Sequence, residues 1–400
     1  MTAVPASRMA ATSPGAVAAA GDAVASYSWE ATNEEVAARY GVPLDAIIRF
    51  DLNTSPAPPE LAVRVLAAGR FATAMSEYPP SDYRALVAAA ASRYGVGRDE
   101  LLVGAGADEI LDLIGKAFLP PGGTAVIPTP TYAMYRVITE QRGARVLAVP
   151  RLPGAAGWAL DRAAVRAAAR QADVVWLCSP NNPTALPEPP GAVASLLADI
   201  AADAAEVAAA PGVTPPDAGA SAPVVVLDEA YAEFVGESLV DLRLAYPRLI
   251  VVRTVSKAYA LAGLRVGFAI ARPEVIAEIA PYRPPGSVST VSVEVVTAVL
   301  GDDTVLESNL ETIGRERDRL ARDLHDAGWS IGPSVTNFLL ADFATPARAA
   351  AVAEGLLRRG LVPRTFGGDH PLAAYLRLTV RDTAENGRLI AAAREIGAAT

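Results

Sequence analysis

The sequence predicts an α/β fold: a large domain on a mostly parallel seven-stranded sheet sandwiched by helices, with a smaller α+β domain beside it. Short β-branched segments alternate with longer helical ones from residue 82 to residue 270. The β segments are apolar almost without interruption, which suits strands buried on both faces. The chain has 400 residues, 52% of them apolar, enough for one large core and a second, smaller one.

The elements follow in order. Residues 1–25 are rich in Ala, Gly, Pro and Ser and read as a disordered tail. Residues 26–65 read as an N-terminal arm that joins the smaller domain, 66–285 as the large domain and 286–400 as the small C-terminal one. A helix is expected at 82–93, then a strand at 101–104. The helix at 108–119 places Ile110, Leu113, Ile114 and Ala117 at i, i+3, i+4 and i+7, one buried face. Strands at 124–127, 145–149 and 173–178 alternate with helices at 131–142, 160–171 and 190–209. A low-complexity stretch at 210–222 reads as a surface loop. Strands at 223–227, 249–253 and 265–270 complete the sheet, and strand–helix alternation makes it mostly parallel. Beyond 286, helices are expected near 302–327 and 346–360, with strands near 336–341 and 375–380.

Composition excludes several functions. There are 35 basic and 44 acidic residues, a net charge of −9, and no basic cluster, which argues against nucleic acid and acidic membranes. A single cysteine, Cys178, permits no intrachain disulfide, and with His325 and His370 it cannot build a Cys/His zinc cluster. No metal is expected. No apolar run has the length of a membrane span, and the N-terminus lacks the pattern of a signal peptide. A cytoplasmic protein is the resulting expectation.

Lysine usage is the sharpest count: only Lys116 and Lys257 occur. Lys116 follows Asp112 by four residues on a helix surface, an ordinary ion pair. Lys257 follows a buried strand, where α/β sheets collect ligands and a desolvated lysine can form a Schiff base. Thr254 and Ser256 beside it offer hydroxyls, and Arg265 offers a fork suited to phosphate. Gly104-Ala-Gly-Ala-Asp-Glu109 joins a strand to a helix N-terminus, a place for phosphate, although a plain cap by Asp108 reads equally well. Asp228 ends a hydrophobic strand as either a cap or a positioned carboxylate, with Tyr231 three residues on. Ser179-Pro-Asn-Asn-Pro-Thr184 follows another strand, and Tyr132 opens a helix where it could stack on a planar ligand.

These segments in this order, with Asn337-Phe-Leu-Leu340 and Tyr375-Leu-Arg-Leu-Thr379, resemble the pyridoxal-phosphate aminotransferases of classes I and II (fold type I), and among them the histidinol-phosphate aminotransferase group. The resemblance spans residues 27–397. It implies pyridoxal 5'-phosphate as cofactor, a small-molecule amino donor and an oxo-acid acceptor as substrates, and a homodimer. It implies that Lys257 binds the cofactor covalently and shuttles a proton, and that Asp228 holds the ring nitrogen protonated. Asn182 and Tyr231 would bond the ring oxygen, and Tyr132 would stack on the ring. Ala107, Asp108, Thr254, Ser256 and Arg265 would surround the phosphate, with Tyr78 reaching the partner subunit's cofactor. Arg377 would clamp the substrate carboxylate and Arg364 a substrate phosphate, with Arg381 the next candidate.

This chain departs from the group at four places, one of them the low-complexity insertion at 210–222 before Asp228. Ala185 replaces a usual glycine. Leu52-Asn-Thr-Ser-Pro56 replaces a motif whose tyrosine helps read the substrate phosphate. Arg381 stands where a small residue is common. Rival activities on the same fold are an aromatic amino-acid aminotransferase and a phospho-amino-acid decarboxylase. A non-catalytic regulator would need a DNA-reading domain, for which the N-terminal tail is too short and too poor in basic residues.

Overall fold

The computed structural model describes residues 25–154, 157–209 and 222–398. The tail expected at 1–25 and the loop at 210–222 therefore lie almost entirely outside the described residues.

Among the described residues, twelve strands form three sheets. They are β1 (Ile48–Arg49), β2 (Leu101–Gly104), β3 (Thr124–Thr129), β4 (Arg145–Pro150), β5 (Val174–Cys178), β6 (Val224–Asp228), β7 (Leu249–Thr254), β8 (Gly267–Ile270), β9 (Ser330–Ile331), β10 (Phe338–Asp342), β11 (Leu361–Val362) and β12 (Tyr375–Thr379). The large sheet has seven strands in the order β2-β8-β7-β6-β5-β3-β4. Only β8 runs against its neighbours, pairing antiparallel with β2 and β7.

The unbroken apolar strands have the physical cause expected of them. Along β5, Val175 and Leu177 enter one core while Val174, Trp176 and Cys178 enter the other. Along β6, Val225 and Leu227 face the first and Val224 and Val226 the second. Side chains alternate between faces with period two, and both faces are covered. The helix Gly106–Phe118 lies on the second face and buries Ile110, Leu113 and Ile114 there.

The smaller unit is α+β. It holds the antiparallel sheet β12-β10-β9 and the parallel pair β1-β11, with the helices Asp303–Asp326, Pro346–Leu357 and Thr383–Ala398. Ile48 and Phe50 sit in its core with Leu320, Trp329, Leu356 and Leu378, so the segment before residue 65 contributes to it.

Several expectations shift. The last large-sheet strand begins at Gly267 rather than 265, because Arg265 takes a left-handed conformation (φ 50°) after a turn at Ala262–Leu264. The helix Thr290–Leu300 packs on the helices Glu60–Ala68 and Arg84–Tyr94, and its Val295, Val296 and Val299 join the core of the large sheet. The next helix starts with Val305 in that core and continues with Ile313 and Leu320 in the smaller one. We propose that the two units meet within Asp303–Asp326 rather than at 286. Among the described residues, no helix is long and apolar enough to cross a membrane.

Candidate active site

The parallel strands of the large sheet end on one edge, and that edge carries the candidate residues. Cys178 ends β5, Asp228 ends β6, Thr254 ends β7, and Gly104 ends β2 before the helix Gly106–Phe118. A cavity of about 620 Å³ opens there, lined by Ala107, Asp108, Tyr132, Asn182, Asp228, Tyr231, Thr254, Ser256, Lys257 and Arg265. Arg364 and Arg377 close it from the smaller unit. The fold thus brings together every site residue expected from the sequence except Tyr78, which is 89% exposed and outside its own chain's cavity, and Arg381.

Burial shapes the reactive groups. It pushes the Lys257 ammonium down to about 8, helped by the positive charge of Arg377. It pushes the Asp228 carboxyl up to about 6, even though Tyr135 donates to its Oδ2 at 2.7 Å and the Ala230 N–H to its Oδ1 at 3.0 Å. A lysine that sheds its proton easily can attack a carbonyl. A buried carboxylate that lacks a cation is a place for one.

The opposite wall is built for an anion. The helix Gly106–Phe118 begins after Ala105, which makes no side-chain cap, so its first-turn N–H groups remain for a ligand. Asp108 lies within this first turn and is not the cap; its carboxylate instead accepts from Tyr132 Oη at 2.9 Å and pairs with Arg265 at 3.1 Å. Two glycines permit the close packing. At Gly106 (φ 84°) a Cβ would stand 2.4 Å from the Arg265 guanidinium, and at Gly267 it would stand 2.5 Å from the Gly106 backbone. The hydroxyls of Thr254 and Ser256 lie 2.9 Å apart on the same side. Helix N-terminus, guanidinium and hydroxyls together suit a phosphate.

Asn181 and Asn182 divide their work. The Asn181 amide ties the loops together, donating to Pro130 O and Thr184 Oγ1 and accepting from Thr131 Oγ1. The Asn182 side chain enters the cavity, and its Oδ1 accepts from Arg377 Nη1 at 2.7 Å. Ala185, at the position where glycine is usual, adopts φ 67° and is fully buried against Tyr231 and Phe338. Left-handed backbone costs a non-glycine residue roughly 1–2 kcal/mol, and one buried methyl returns about 0.8 kcal/mol.

Arg377 is buried, yet it meets no carboxylate among the described residues. Its guanidinium donates to Asn182 Oδ1 and to the Asp51 carbonyl, and its Nε has no partner. A buried cation held only by neutral acceptors is prepared for an anionic ligand. Arg364 lies beside it, because the two backbones exchange hydrogen bonds at 3.0 and 3.1 Å. Arg381 is used elsewhere: it pairs with Glu385 at 2.9 Å and donates to Thr54 O. It does not line the cavity, unlike Arg364.

Sequence reasoning missed four residues here. Tyr135 holds Asp228 and stacks on Trp176 at 5.5 Å. Asn53, left-handed at φ 53°, donates to Tyr231 Oη at 2.9 Å across 178 positions. Tyr27 and Trp29 line the mouth from the N-terminal arm, and the Arg364 guanidinium lies 5.4 Å from the Tyr27 ring centre. Tyr27 thus supplies an aromatic hydroxyl beside Arg364, although Leu52–Pro56 contains no tyrosine.

The sequence profile described as aminotransferase class I and II matches residues 52–201 and 220–392. A histidinol-phosphate aminotransferase of Symbiobacterium thermophilum is 35% identical over 354 residues, covering 87% of this chain and 90% of the relative. One from Roseiflexus castenholzii is 34% identical, covering 91% and 93%. The crystal structure of a histidinol-phosphate aminotransferase from Sinorhizobium meliloti in complex with pyridoxal-5'-phosphate superposes with a TM-score of 0.79 at 25% identity, covering 92% of this chain and 95% of that one.

Proposed function

The chain belongs to the class I and II aminotransferase family, and on that premise we propose that it uses pyridoxal phosphate to move an amino group between glutamate and an oxo-acid acceptor, with histidinol phosphate as the amine formed or consumed. The observation that carries this reading is Lys257: a buried lysine with a depressed proton affinity, sharing one cavity with the buried carboxyl of Asp228. When bound, pyridoxal phosphate supplies a carbonyl that captures amines and a protonated ring that draws electrons from the neighbouring C–H bond.

The chain's own residues do the rest. Lys257 Nζ anchors the cofactor between turnovers, then holds and returns the proton that leaves the substrate carbon. The Asp228 carboxylate sits where it can keep a ring nitrogen charged, and Tyr135 orients it. Tyr231 and Asn182 offer donors to a ring oxygen, and Tyr132 borders the cavity as a stacking surface. The N–H groups of Ala107 and Asp108, with Thr254, Ser256 and Arg265, receive the phosphate. Arg377 receives a carboxylate. Glutamate carries two carboxylates and histidinol phosphate a phosphate, so a second arginine, Arg364, is placed to meet the distal anion.

The test is kcat/KM for histidinol phosphate against histidinol, in wild type and in Arg364→Ala. A charge-assisted contact contributes about 1.5–3 kcal/mol, so the variant should lose roughly ten- to a hundredfold of the preference for the phosphorylated substrate. No preference in wild type would overturn the substrate assignment and leave the aminotransferase reading standing.

A homodimer belongs to the same reading. Tyr78 is exposed and outside its own chain's cavity, as suits a residue that completes the partner's site. Hybrid dimers of Tyr78→Phe and Lys257→Ala chains should be more active than either parent, since one of their two sites is intact. Hybrids no more active than the parents would mean that Tyr78 acts within its own chain or not at all.

A further inference from the structure

The N-terminal arm brings a carboxylate to the very arginine that is placed to read an anion. Glu30 Oε1 lies 3.5 Å from Arg364 Nη1, and both side chains are mostly buried, at 17% and 16% exposure. The same carboxylate fastens the arm: Oε1 accepts from the Thr365 N–H at 2.8 Å and from Thr365 Oγ1 at 2.9 Å. Arg364 Nη1 also donates to Ser28 O at 2.8 Å. Together they close an outer chamber of about 440 Å³ that shares Tyr132, Asn182, Arg364 and Arg377 with the main cavity.

The two arginines of this chamber are not equivalent. Arg377 meets no carboxylate among the described residues, whereas Arg364 is already compensated. A substrate that leaves Arg377 empty leaves a buried charge unpaired, which is costly. A substrate that ignores Arg364 leaves it paired with Glu30, at little cost. The chamber wall beside this pair is aromatic, with Tyr27, Trp29 and Phe366, the last stacked on His370 at 4.9 Å. Burial, and then the charge of Arg364, hold the His370 imidazole's proton affinity below its usual range.

We infer that Glu30 is a specificity-determining residue: by neutralising Arg364 it lets the outer chamber accept amino donors with uncharged, planar side chains as well as donors with an anionic one. The inference rests on the reading above that Arg364 meets the distal group of the substrate. Without the Glu30 charge, Arg364 would demand an anion and uncharged donors would be discriminated against. With it, the preference for anions is moderated while the carboxylate clamp at Arg377 keeps its full strength.

The experiment is Glu30→Gln in the cofactor-loaded enzyme, with the amino-donor half-reaction followed by cofactor absorbance. The amide keeps an oxygen for the Thr365 donors, so the arm stays fastened and only the charge is lost. Donors are compared in matched pairs: glutamate against phenylalanine, which both carry a carboxylate for Arg377 and differ in an anionic or uncharged side chain, and histidinol phosphate against histidinol, which both lack that carboxylate and differ in the phosphate. The ratio of kcat/KM for anionic over uncharged donors should rise about tenfold, the scale of one charge-assisted contact. Thr365→Val loosens the arm but retains the charge, and should leave that ratio where it is. An unchanged or lower ratio in Glu30→Gln overturns the inference. A ratio that moves equally in Thr365→Val also overturns it, since arm position would then be the cause. If histidinol phosphate proves not to be a substrate, the substrate assignment fails by itself, and the glutamate-to-phenylalanine ratio still decides the role of Glu30.

Discussion

Lys257→Ala loses both covalent retention of the cofactor and turnover, by about a thousandfold or more, equivalent to roughly 4 kcal/mol of barrier at tenfold per 1.36 kcal/mol. Lys116→Ala changes neither. The contrast follows from where each lysine stands. Lys116 lies on the surface of its helix in an ion pair with Asp112 at 2.7 Å, and it does not line the cavity. Lys257 sits past the end of β7, 5.8 Å from the centre of the Tyr231 ring, where burial and then the charge of Arg377 drive its proton affinity down to about 8. About a tenth of the amine is therefore neutral at pH 7, against less than about a thousandth for an ordinary lysine, which favours its use as a nucleophile. Borohydride reduction followed by peptide mapping checks the assignment, and label on Lys116 would reverse it.

What the sequence revealed, and what it hid, follows from the range of the interactions involved. Six of the seven large-sheet strands are legible because they are apolar on both faces, a local signature of double burial, whereas β4, expected to be buried like them, is an edge strand with Arg145, Ala148 and Pro150 exposed. Lys257, Asp228 and Arg265 are legible because strand ends and scarce residue types mark them in one dimension. The helix Thr290–Leu300 is not, since its Val- and Thr-rich sequence has the propensity of a strand. Packing on Glu60–Ala68 and Arg84–Tyr94 decides its state instead. Asn53 is hidden for another reason. Its neighbourhood reads as a turn, and its bond to Tyr231 exists only once the smaller unit is placed against the sheet. Glu30 and Arg364 are 334 positions apart in the chain; Arg364 is marked in the sequence by the family resemblance, whereas nothing local marks Glu30 as its partner. The two-layer core is written locally; the cavity's mouth is written only in the contacts between distant segments.

Asp228→Asn should keep the fold and the cofactor but lose about a hundredfold or more in turnover, at least roughly 2.7 kcal/mol of barrier. The substitution is nearly isosteric. An asparagine oxygen can still accept from the Ala230 N–H, now 3.0 Å away, and the amide can still meet Tyr135 Oη, now at 2.7 Å. A role limited to capping would therefore survive the change almost intact. The charge would not. In the protein alone, burial holds the carboxyl up at about 6, so ionisation at this position is costly without a cation beside it. A protonated ring nitrogen is such a cation, and the carboxylate in turn keeps that proton in place while electrons flow toward the ring. A neutral amide cannot do so, and the rate of proton removal from the substrate carbon should fall while binding changes little. Single-turnover absorbance changes separate the two, because they read the chemical step apart from affinity. Near-wild-type turnover in Asp228→Asn would reduce Asp228 to a cap at the end of β6. A loss confined to cofactor affinity, with the rate of the loaded enzyme intact, would make it an anchor rather than a catalytic residue.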